Sequence, residues 1–83
     1  MAYRMWQVEL DGADHRVELE HRVITMSGKR TIQVDGQVIE RSSKFWDTGT
    51  EHRFKISGHP CILRIRNLFM GYEYELWVDG RLV

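Results

Sequence analysis

Cysteine and proline occur once each in the 83-residue sequence, at Cys61 and Pro60. A single cysteine excludes an intrachain disulfide and points to a reducing compartment, so a cytoplasmic location is expected. With one proline and no Ser/Pro-rich run there is no linker, and residues 1–83 read as a single domain. Neither sign of charge is in excess: Lys plus Arg and Asp plus Glu number 12 each. Such a chain has no net field to draw it to nucleic acid or to an anionic membrane, and neither is an expected partner. Long apolar runs are also missing. The opening MAYRMWQVELDG carries charges too early for a signal peptide and is too polar for a membrane span. At this length folding buries only about two thirds of the unfolded chain's surface, which makes a second copy useful and a homodimer plausible.

Helical periodicity is almost absent, whereas alternation with period two runs through most of the chain. Trp6, Val8 and Leu10 alternate with Gln7 and Glu9. Val17, Leu19 and Val23 alternate with Arg16, Glu18, Glu20 and Arg22. Further strands are expected around Ile32 and Val34, Val38 and Ile39, Phe54 and Ile56, Leu63 and Ile65, and Tyr74, Leu76 and Val78. Asp-Gly recurs at 11–12, 35–36 and 79–80, and it favours a two-residue hairpin because a type I′ turn needs positive φ at both central positions. The last two copies share Val-Asp-Gly, which by itself does not establish a duplication. The expected fold is all-β: an antiparallel β-sandwich of about seven to eight short strands joined by hairpins, with a partly open barrel as the alternative.

The final hairpin is specified more closely. A register that pairs Arg66 with Glu73 and Arg64 with Glu75 also pairs Ile65 with Tyr74 and Leu63 with Leu76, so both faces agree. The basic row Arg53, Lys55, Arg64 and Arg66 then reads as a solvated sheet face neutralised by glutamates rather than as a nucleic-acid stripe.

Chemistry is sparse. His15, His21, His52 and His59 stand beside one cysteine, and His59-Pro60-Cys61 is the nearest approach to a metal motif, but nothing completes three or four ligands at recognisable spacing. No metal and no cofactor is expected. Cys61 with His59 suggests a nucleophile and base, yet neighbours two apart on a strand are badly spaced for a direct bond, and Cys61 falls on the core phase. The serines lack a nucleophile elbow, and the carboxylate pairs Glu18/Glu20 and Glu73/Glu75 lie on polar faces. Ser27-Gly28-Lys29-Arg30 lacks the second glycine and following helix of a phosphate loop and reads as a turn, from which Lys29 and Arg30 can still meet an acidic partner. A non-enzymatic protein is expected, with no catalytic residues.

Aromatic residues are more informative. Trp6, Phe54, Tyr72 and Tyr74 fall on core phases. Trp77 falls on a polar phase, Trp46 lies where periodicity is lost, and Phe69 lies in the connection from Asn67 to Gly71. Aromatics outside a core anchor binding surfaces, so Trp46, Phe69 and Trp77 are the candidate partner-binding residues. A sheet edge or face holding a protein segment is the first reading; a small-molecule or carbohydrate-binding β module, with aromatics stacking on the ligand, is the alternative.

Trp6-x-Val8 leading to Asp11-Gly12, then His15-Arg16-Val17-Glu18-Leu19-Glu20-His21, Ser27-Gly28-Lys29-Arg30, Val34-Asp35-Gly36, Gly58-His59-Pro60-Cys61-Ile62, Tyr72-Glu73-Tyr74 and Val78-Asp79-Gly80 together resemble the Fas apoptotic inhibitory molecule family. The resemblance spans nearly the whole chain, and Ser-Gly-Lys-Arg after the His21-Arg22 strand is its most specific part. It implies a β-sandwich module in a cytosolic, non-enzymatic protein that protects cells from death-receptor signalling and holds back protein aggregation. Animal members of the family carry two related modules in tandem; here a homodimer is the expected substitute. The segment from Ile39 to Thr50 fits the pattern poorly.

Overall fold

The computed structural model describes residues 2–22, 28–42, 49–68 and 70–83. These residues form eight strands: β1 (Ala2–Leu10), β2 (Ala13–His21), β3 (Arg30–Val34), β4 (Gln37–Ser42), β5 (Gly49–Ile56), β6 (His59–Leu68), β7 (Gly71–Val78) and β8 (Arg81–Leu82). They make two separate four-stranded sheets, ordered β1-β2-β3-β4 and β5-β6-β7-β8, with every strand antiparallel to its neighbours. The all-β class is thus as the alternation predicts. Each sheet is an open meander with two edge strands, and neither closes into a barrel. The chain divides into two compact units, Met1–Asp47 and Thr48–Val83, with one sheet in each.

Four tight turns shape these meanders. Asp11-Gly12, Asp35-Gly36 and Asp79-Gly80 have φ of 53° and 80°, 51° and 82°, and 52° and 76°, the positive pair that a type I′ turn demands. Ser57-Gly58 adopts the same geometry, at 49° and 81°, and closes β5 onto β6.

In the first sheet Val8, Leu10, Val17, Leu19 and Ile32 are buried; in the second Ile56, Cys61, Leu63, Ile65, Leu76 and Val78 are. Each fully buried aliphatic side chain contributes about 1.5–3 kcal/mol of transfer free energy. Trp6, Phe54, Tyr72 and Tyr74 lie on these same phases but are only half-buried. The predicted register of the last hairpin is realised in full: Arg66 faces Glu73, Ile65 faces Tyr74, Arg64 faces Glu75 and Leu63 faces Leu76. Regularity fails between β3 and β4, where Ile32 faces Glu40 but Gln33 faces Val38. Ile39 is the extra residue of that bulge, and this is why the adjacent Val38 and Ile39 are both exposed instead of alternating.

The two sheets repeat one plan. Val17 faces Val34 and Leu19 faces Ile32 in the first, as Cys61 faces Val78 and Leu63 faces Leu76 in the second. The recurrence of Val-Asp-Gly is therefore structural, marking the same turn in both meanders.

Candidate functional site

The outward phase of the second sheet is divided into two parts. Towards the end of β6 near Leu68, glutamates neutralise the basic row: Arg64 Nη2 lies 3.1 Å from Glu51 Oε1, Arg64 Nη1 lies 3.7 Å from Glu75 Oε1, Arg66 Nη1 lies 3.1 Å from Glu73 Oε1, and Arg53 Nη2 lies 3.3 Å from Glu51 Oε2. The three arginines of the row are thus paired on a solvated face, whereas Lys55 has no ion pair among the described residues.

Towards the Ser57-Gly58 turn the same face becomes apolar. The registers place Arg53 opposite Ile62, Ile62 opposite Trp77, and Trp77 opposite Leu82, so the four residues form one row across four strands. Lys55 and Pro60 form the next row. Ile62 and Trp77 are half-buried, Pro60 is exposed, and Leu82 is 56% exposed. A depression of about 370 Å³ lies beside Ile62, lined by Arg53, Phe54, Lys55, Pro60, Cys61 and Ile62. Trp77 Nε1 is buried and has no hydrogen-bond partner among the described residues, so what the ring presents outward is apolar area. Of the three aromatic candidates, Trp77 therefore occupies the outward phase that its sequence position predicts. Trp46 and Phe69 lie outside the described residues. Met70, beside Phe69 in sequence, is 89% exposed.

Cys61 and His59 do not act as a pair. The Cys61 thiol is 1% exposed; it donates to the His59 carbonyl oxygen at 3.5 Å, and burial pushes its pKa up, opposite to the shift that activates a thiolate. His59 instead places Nδ1 2.7 Å from Asp79 Oδ2. In the first sheet His15 Nδ1 lies 2.7 Å from Asp35 Oδ2. A carboxylate only accepts, so both Nδ1 atoms carry the proton. Asp35 Oδ1 also accepts from the Arg16 backbone N–H at 2.8 Å, and these two hydrogen bonds, His15 first, hold its carboxyl below the usual range. Pro60 occupies the position equivalent to Arg16 and has no N–H to offer. The shared backbone bonds remain: Asp35 N–H donates to the Arg16 carbonyl and Asp79 N–H to the Pro60 carbonyl. These clasps pin the Asp-Gly turn to the neighbouring strand. Sequence reasoning missed them, although the signal was present: each histidine precedes its aspartate by 20 residues.

The two basic residues of Ser-Gly-Lys-Arg go to opposite sides of the first sheet. Arg30 is 1% exposed and donates through Nη2 to Nε2 of the fully buried His21 at 3.1 Å. His21 faces Arg30 across the β2–β3 ladder; as an acceptor at Nε2 its imidazole is neutral, with the proton on Nδ1. Lys29 is exposed and joins Glu20, Arg22, Thr31, Gln33 and Arg41 around a polar depression. Among the described residues no three His, Cys, Asp or Glu side chains converge to hold a metal ion, and no helix is long and apolar enough to cross a membrane.

Residues 2–83 match the family described as Fas apoptotic inhibitory molecule. Fas apoptotic inhibitory molecule 1 of Mus musculus is 38% identical over 61 residues, covering 71% of this chain and 30% of that protein. The Bos taurus protein of the same name is 33% identical over 81 residues, covering 92% of this chain and 36% of its own length. The chain thus spans between 30% and 36% of the length of these two curated relatives. The matched range spans both sheets, and by it this chain belongs to the Fas apoptotic inhibitory molecule family.

Proposed function

We propose that this chain is a non-enzymatic protein-interaction module that grips an extended partner segment on the outward face of its second sheet, with Trp77 at the centre. The observation that carries this reading is the row Ile62, Trp77 and Leu82, bordered by Arg53 and Lys55. A half-buried tryptophan between aliphatic neighbours offers large contact area at small entropic loss, which suits an anchor of recognition. Arg53 is held by Glu51, so Lys55 is the border cation that favours a carboxylate beside the apolar side chains of the segment. The buried thiol with a raised pKa supports binding over covalent catalysis, and the paired arginines of the outward face give nucleic acid little to hold.

The name of the relatives supports a role in inhibiting Fas apoptosis; in this reading the chain works in the cytoplasm by capturing apolar segments that would otherwise associate or aggregate. Because the family match covers both compact units, residues 1–83 act in this reading as one module, with a homodimer providing a second Trp77 face.

The test is light scattering from an aggregating client protein at molar ratios around one, with the wild-type chain and with Trp77→Ala. Suppression by the wild type, weakened in the variant with Tm lowered by less than about 8 °C, supports the reading. An inert wild type removes the aggregation role. A collapse of Tm in the variant assigns Trp77 to the fold instead.

A further inference from the structure

On the outward phase of the first sheet, away from Trp77 in sequence, cations gather that form no ion pair among the described residues. Glu20 faces Thr31 on β2 and β3, and Thr31 faces Arg41 on β4. One step further along, the backbone N–H of Arg22 donates to the carbonyl of Lys29 at 2.8 Å. That bond continues the β2–β3 ladder and sets Arg22 beside Lys29. The side chains of Glu20, Arg22, Lys29, Thr31, Gln33 and Arg41 surround an open depression of about 310 Å³.

Arginines elsewhere on the outward faces are matched: Arg16 with Glu18, Arg53 and Arg64 with Glu51, Arg66 with Glu73. Arg22, Lys29 and Arg41 have no ion pair among the described residues, and Glu20 is the one carboxylate at the rim. Glu18, the next carboxylate on β2, is already held by Arg16 and accepts from the Tyr3 hydroxyl. Three like charges converging on a polar hollow repel one another and are relieved by an anion. Guanidinium forks and an ammonium suit a tetrahedral oxyanion, and the Thr31 hydroxyl and Gln33 amide add neutral donors.

We infer that Arg22, Lys29 and Arg41, with Thr31 and Gln33, form a binding site for a phosphoryl group. The Lys-Arg pair of the Ser-Gly-Lys-Arg turn is thereby divided: Arg30 builds the interior and Lys29 meets the ligand. No backbone cradle of the phosphate-loop kind is involved, because side chains from β3, β4 and the ends of the β2–β3 ladder supply the donors.

Inorganic phosphate is the probe, titrated through the millimolar range into the full chain while amide chemical shifts are followed. Saturable shifts centred on Lys29, Thr31, Gln33 and Arg41 are expected. Lys29→Gln and Arg41→Gln each weaken binding about fivefold, the scale of one solvent-exposed charge pair, whereas Glu20→Gln tightens it by removing the opposing carboxylate. The three substituted residues are exposed, and circular dichroism of each variant establishes that the fold is kept. A phosphoserine peptide, compared with its unphosphorylated form, distinguishes the source: tighter binding than inorganic phosphate marks a phosphorylated protein side chain, and equal binding marks the phosphoryl group alone. Shifts that do not saturate, or that are unchanged in Lys29→Gln, Arg41→Gln and Glu20→Gln, overturn the site.

Discussion

His15 Nδ1 and Asp35 Oδ2 lie 2.7 Å apart, and the same contact recurs at the same length between His59 and Asp79. Both aspartates sit at positive φ in type I′ turns, so a turn-forming residue doubles as the acceptor that fastens the turn. The repeat shows how a short chain builds two four-stranded sheets from one local design.

The first prediction concerns acid. The Asp35 carboxyl is held below its ordinary value of 3.8 by the His15 hydrogen bond and then by the Arg16 N–H. A depressed carboxyl stabilises the fold above that ordinary value, and its contribution disappears as pH falls through the lower folded value. Asp35→Asn keeps a residue that tolerates positive φ, so it isolates the charge. Its Tm is expected to fall below wild type at neutral pH, with the gap closing below about pH 4. A gap that stays constant down to about pH 2 contradicts the assignment.

Neighbouring basic residues should behave oppositely. Arg30→Ala removes a side chain that is 1% exposed and leaves His21 Nε2 without its donor. A loss of about 2–5 kcal/mol is expected by denaturant unfolding, from the vacated volume and the stranded polar group. Lys29→Ala should lie within about 0.5 kcal/mol of wild type, since Lys29 is exposed. Equal effects of the two changes would undo the division of that turn between interior and surface.

Cys61 should be silent in the folded protein. Burial raises its pKa and only 1% of the residue is exposed, so little thiolate forms at neutral pH and access is blocked. A thiol reagent is expected to react slowly at pH 7 and promptly once denaturant unfolds the chain. Fast reaction in the native state would reopen a catalytic role.

Gly49 opens β5 at φ 102°, and an added Cβ would stand 2.5 Å from the backbone oxygen of Ile65. That oxygen belongs to the β6 ladder and has no rotamer by which to withdraw. Gly49→Ala is expected to lower stability by about 1–3 kcal/mol. Gly12→Ala, where nothing lies within 4 Å, should lose only the conformational share, about 1–2 kcal/mol. Thermal unfolding of the two variants side by side decides it.

The strands were legible because period-two alternation and paired positive-φ turn residues are local properties that neighbouring positions impose. The β6–β7 register was legible as well, since only one alignment matched charges on one face and aliphatics on the other. The buried thiol and the outward phase of Trp77 followed from the same parity. Parity could not place His21 and Arg30 together in the interior, because a polar residue on a core phase reads as an error until its partner appears across the ladder. Nor could it find the His–Asp clasps or gather Arg22, Lys29 and Arg41, whose meeting depends on which strands become neighbours and in what register. The sequence by itself determined where the chain extends and where it turns; the tertiary structure decided which distant charges meet, because electrostatic partnership depends on distance through space and composition does not contain it.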